Sequence, residues 1–85
     1  MNSNFKYLKE IIEQGIKLNN VNLTQQALTN WTNYTARMLE LITDKNSMIT
    51  LNFLKLQTEA DIISKSPNDK LNAYLKYLID IAKYV

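Results

Sequence analysis

Two groups of side chains in this sequence have the spacing to act together. Glu10 and Glu13 lie three residues apart in a stretch of helical periodicity, which places both carboxylates on one side of a helix. Such a pair could hold a cation or share a proton. Lys6, Lys9 and Lys17 crowd the same stretch, and that mixture describes a solvated charged face. The second group is apolar and aromatic. Tyr74, Tyr77, Ile81 and Tyr84 recur at i, i+3, i+7 and i+10, a heptad-like seam. Tyrosine combines a large apolar body with a polar tip, which suits contact between proteins. Tyr7, Ile11 and Leu18 form a narrower stripe of the same kind near the N-terminus. These seven residues are the candidate partner interface. Two placements are open for them: a contact surface for another chain, or half-exposed cover for the edges of the protein's own core.

The rest of the chemistry is excluded by composition. Histidine and cysteine are both absent, so the usual zinc sites, thiol nucleophiles and Ser-His triads cannot be built. The sequence predicts no catalytic residue, no metal, no cofactor and no small-molecule site, and the chain is not expected to be an enzyme. Ten Lys and Arg against eight Asp and Glu give a net charge of +2. The cations are scattered, unlike the basic stripe of a nucleic-acid-binding domain, so nucleic acid is disfavoured as a partner. No apolar run approaches the roughly 20 residues a membrane span needs. The absence of cysteine suits a reducing compartment, and a cytoplasmic location is expected. Abundant Asn, Lys and Ile point to an AT-rich genome, that of a bacterium, phage or plasmid. The Asn-x-Ser/Thr matches at Asn22, Asn30 and Asn33 then read as accidents of an Asn-rich chain.

The elements that must position these residues are helical. The 85 residues form one domain, 1–85, and a single Gly and a single Pro leave few tight turns. Apolar steps of three and four predict an all-α, compact antiparallel four-helix bundle with helices at about 4–18, 23–43, 48–65 and 67–84. The first helix carries a main stripe of Phe5, Leu8, Ile12 and Ile16, with Gly15 between it and the Tyr7 stripe. A mid-helix glycine costs close to 1 kcal/mol relative to alanine, so close approach of another helix backbone is expected there, with chance the alternative. The second helix starts near Leu23, where Asn22 and Gln25 resemble a capping box. Its core face is read as Ala27, Leu28, Trp31, Tyr34, Met38, Leu41 and Ile42, with Trp31 where several helices meet. Ile49, Phe53, Leu56, Ala60 and Ile63 give the third helix its face, although Ile49, Leu51 and Phe53 briefly alternate like a strand. Ser66-Pro67-Asn68-Asp69 supplies a cap, a first-turn proline and a first-turn carboxylate for the fourth. Leu71, Leu75, Leu78, Ala82 and Val85 form its inner stripe.

Residues 8–18, LKEIIEQGIKL, followed by Trp31 and by Ala36 to Ile42, resemble a small helical module of bacterial proteins. That module has a Leu-rich helix with a central Glu-x-Gly, a Trp about fifteen residues later, then Arg, an aliphatic run and Glu. A final helix like Leu71 to Ala82 completes it. It stands at the N-terminus of abortive-infection, TIR-type and nucleotide-sensing defence proteins, whereas here it is read as a standalone chain. Thr35 and Ala36 depart from the residues usual before the Arg, and no effector activity is carried over. The resemblance implies a helical adaptor or oligomerisation module.

The expected function is therefore non-enzymatic: a helical protein–protein interaction or oligomerisation module that docks onto itself or another protein. A small immunity or inhibitor protein that neutralises one toxin or enzyme is the first alternative. A nucleic-acid-binding regulator is the second.

Overall fold

Ser66 begins the last helix as its residues dictate. The extended Ser66 backbone lets its hydroxyl accept from the Asp69 amide, Pro67 takes the first helical position, and Asp69 faces the positive helix end. Such a cap contributes about 1 kcal/mol. The computed structural model describes residues 3–43, 47–63 and 66–83, with the side chains of 3–5 and 63 left out. It contains α1 (Ser3–Leu18), α2 (Gln25–Ile42), α3 (Met48–Ile63) and α4 (Pro67–Ala82) in a four-helix bundle. Phe5, Ile63 and Val85, assigned to the core above, lie outside the described side chains.

The start of α2 differs from expectation. Thr24 is the N-cap, its hydroxyl accepting from the Ala27 amide at 3.1 Å. Asn22 instead donates its amide to Asn20 Oδ1, closing a turn before the helix. A hydroxyl next to the first helical residue thus wins over an Asn–Gln pair two residues earlier.

The helices sit at the corners of a rhombus. α2 and α4 meet across its short diagonal, while α1 and α3 share no contact among the described residues. Gln25 of α2 and Lys70 of α4 lie together at one end, so these two helices run parallel. α1 and α3 run antiparallel to both: Asn19 meets Asn72, and Ile49 meets Tyr77. The radius of gyration is 12.2 Å, close to the roughly 12 Å expected of a compact chain this long.

Polar ties close both ends. Asn68 Nδ2 donates to Asn19 Oδ1 and to the Asn20 carbonyl, joining the first loop to α4. Lys70 is buried, with Nζ 2.9 Å from Asp61 Oδ1 and donating to Gln25 Oε1. At the opposite end the hydroxyls of Thr43, Ser47 and Thr50 bond to one another.

Three core faces differ from the periodicity reading. On α1 the buried positions are Leu8, Ile11 and Gly15, and Ile16 is 55 % exposed. The helix is turned so that the space between its two stripes points inward. Gly15 explains the turn, although what fills its place is not a helix backbone. A β-carbon there would lie 2.7 Å from Trp31 Cζ2 and from Leu75 Cδ2. On α2 the core face is Leu28, Trp31, Thr32, Thr35 and Leu39, while Tyr34 is half exposed and Leu41 lies in solvent. Thr35 donates to the Trp31 carbonyl and Thr32 to that of Thr29, so both behave as small, internally satisfied residues. On α3, Thr50 joins Phe53 and Ala60 inside.

Candidate interaction surface

The tyrosine seam of α4 faces α3. Tyr74 is 3 % exposed, its ring centroid 6.4 Å from that of Trp31 and 5.6 Å from that of Phe53. Tyr77 is half-buried, 6.2 Å from Phe53, and its hydroxyl donates to the Ile49 carbonyl at 2.7 Å. Ile81 is half-buried against the same cluster. Tyr84 lies outside the described residues. In the N-terminal stripe Ile11 is fully buried, and its carbonyl accepts from Trp31 Nε1–H at 3.2 Å. Leu18 is half-buried, and Tyr7 is half exposed. Tyr74 and Ile11 are therefore corrected from contact surface to core. The physical reason is the rhombus: α4 touches all three other helices, so more than one of its sides is covered from within.

Burial raises the pKa of both described seam tyrosines. Desolvation lifts Tyr74 above its ordinary 10.0, with the negative charge of Asp61 adding to it, and desolvation alone lifts Tyr77. The unfolded chain ionises these hydroxyls first. Their contribution to stability is thus complete below about pH 10 and is lost as pH rises through the folded values. Chemical denaturation across the alkaline range should show a fall starting near pH 10. Tyr77→Phe should make that fall shallower and, by removing the bond to Ile49, cost about 1 kcal/mol at neutral pH.

The polar candidates do not assemble. Glu10 and Glu13 are exposed among exposed lysines, and no three His, Cys, Asp or Glu side chains converge among the described residues. Asn30, Asn33, Tyr34 and Arg37 line a shallow depression of about 310 Å³, but all four come from α2 and cannot enclose a ligand. No described helix is long and apolar enough to cross a membrane.

The fold leaves apolar side chains uncovered at scattered positions, such as Val21 and Leu41, and in a group on the outer face of α3. Met48, Leu51, Leu54 and Ile62 are 67, 45, 41 and 80 % exposed. At about 100° per residue, the nine residues from Phe53 to Ile62 place the two on opposite sides of the helix. α3 is thus apolar on its inner and outer faces alike. The other outlying corner makes the comparison: α1, also touching only two helices, turns Lys6, Lys9, Glu10, Glu13 and Lys17 outward, with Tyr7 and Ile16 the exposed apolar residues beside them. A corner position in this bundle does not require apolar cover, and α3 has it nonetheless.

This face was missed in the sequence because only Leu51 entered the reading, as part of a short alternation, while Met48, Leu54 and Ile62 were assigned to no face. The available signal was that nine of the sixteen α3 residues are apolar and do not fall into one stripe. Compared with protein-family models, curated proteins and solved structures, the chain matches none of them.

Proposed function

We propose that this chain is a helical protein–protein interaction module without catalytic activity, and that it meets its partner through the outer face of α3. The observation that carries the reading is the exposed row of Met48, Leu51 and Ile62 opposite a packed core face, with Leu54 on its flank. Apolar rows on an otherwise polar surface mark contact sites, because covering them removes area from water at about 25 cal/mol per Å². The row holds one cation, Lys55, and so offers little to a phosphate backbone. The likeness of residues 8–18, Trp31 and 36–42 to the helical modules of bacterial defence proteins points to the same class of role. A cytoplasmic site of action is part of this reading and rests on the lack of cysteine.

The test is a capture experiment from the native host with the wild type and with the double variant Leu51→Glu, Ile62→Glu. Both positions face water, so the variant should fold with stability changed by only about 0.5 kcal/mol per site. It should lose the captured partner. Retention of the same partner by the folded variant would place the contact elsewhere.

A further inference from the structure

We propose that the partner on this face is a second copy of the chain, bound with its α3 antiparallel about a two-fold axis level with Gln57. The inference rests on the reading of the α3 outer face as a contact surface and specifies what covers it.

Charge on and beside the apolar row selects a second copy. Lys55 lies within the row, on the side of Ile62 where Glu59 forms the flank, and Leu54 and Asp61 lie on the other flank. A two-fold axis across a pair of helices reverses their direction and sets each flank against its own copy. With the axis level with residue 57, Lys55 comes opposite the second copy's Glu59, and Glu59 opposite the second copy's Lys55. Leu51 then falls within about 1.5 Å of rise of the second copy's Ile62, so the apolar ends cover one another. The face is thus complementary to itself in charge and in apolar content.

A parallel arrangement does the reverse. It sets opposite flanks together at the same level and gives neither Lys55 nor Glu59 an opposite charge on the second copy, because Leu54 and Thr58 stand there and Asp61 is held by Lys70. Within one chain, Lys55 Nζ and Glu59 Oε1 are 3.9 Å apart and both side chains are well exposed. A pair held that loosely contributes little and is available to exchange partners. The area is modest. A 16-residue helix is about 24 Å long and about 10 Å wide, so one copy offers a flat patch of roughly 240 Å². Standard interfaces bury about 800 Å² per partner, which makes this a weak, concentration-dependent dimer.

Sedimentation velocity on the full chain, from about 10 µM to about 1 mM, tests it. The weight-average mass should rise from monomer towards dimer across that range. The double variant Leu51→Glu, Ile62→Glu should stay monomeric at the top concentration while keeping its helical circular dichroism. Lys55→Glu and Glu59→Lys should each weaken association on the order of tenfold. Mixed in equal amounts, those two single variants should associate more tightly than either does alone. A wild type that stays monomeric overturns the second copy as occupant; if the capture experiment still depends on Leu51 and Ile62, the contact-surface reading survives, and if not, both fall. A dimer indifferent to Leu51→Glu, Ile62→Glu places self-association on another face and overturns the proposal. A dimer that loses mass with the apolar variant but gains nothing from mixing overturns the antiparallel arrangement.

Discussion

Trp31→Ala should cost about 3–5 kcal/mol, most of the stability available to a domain of this size. The indole is 5 % exposed, donates to the Ile11 carbonyl of α1 and packs against Tyr74 of α4. Its removal leaves a cavity whose opposite wall is Gly15, which has no side chain to move into the gap. Helix–helix cavities with a glycine wall collapse poorly, and the cost belongs at the upper end of the range. Urea denaturation followed by circular dichroism measures it. The wild-type fluorescence should also shift to longer wavelength on unfolding, and emission already at the water-exposed position in the folded protein would contradict the placement.

Gly15→Val should be nearly as damaging, towards the upper end of the roughly 1–3 kcal/mol that overpacking costs. Leu75 can rotate away from a new β-carbon, but the indole is a rigid plane tethered through its N–H. Gly15→Ala separates the two effects at work. Alanine improves helix propensity by close to 1 kcal/mol and at the same time presses on the ring. With Trp31 present the contact should prevail and stability should fall. In a Trp31→Phe background, where the smaller ring frees the space, the same substitution should be neutral or stabilising. That change of sign in a double-mutant cycle is the measurable outcome. Equal effects in both backgrounds would show that the ring and the glycine are independent.

How much of this was legible beforehand depended on what each residue required of its surroundings. Four helices, the Ser66 cap and the burial of Trp31 follow from local chemistry, and the structure has all three. The facing of α1 and α2 does not. On α1 two apolar stripes competed, and the space Trp31 needs settled the choice in favour of the side bearing Gly15. On α2 the decisive residues were Thr32 and Thr35, which a hydrophobicity pattern counts as polar although their hydroxyls are satisfied within the helix. Tyr74 and Ile11 were misplaced for a related reason. Periodicity reports that a helix has two apolar sides, but which side a neighbour covers depends on its corner of the bundle. The outer face of α3 was illegible on the same ground, since only the arrangement of the other helices leaves it bare.

The rhombic arrangement also sets an order of unravelling. α2 and α4 share the short diagonal and hold the ring cluster of Trp31 and Tyr74 between them, whereas α1 and α3 can each detach by giving up contacts with two helices only. Amide hydrogens in the middle of α2 and α4 should therefore exchange with deuterium only through global opening. Those of α1 and α3 should exchange sooner, through partial openings of lower free energy. Among these, an opening of α3 is the one that leaves a helix with apolar residues in water on both sides, because its outer row is exposed already and detachment adds the inner face.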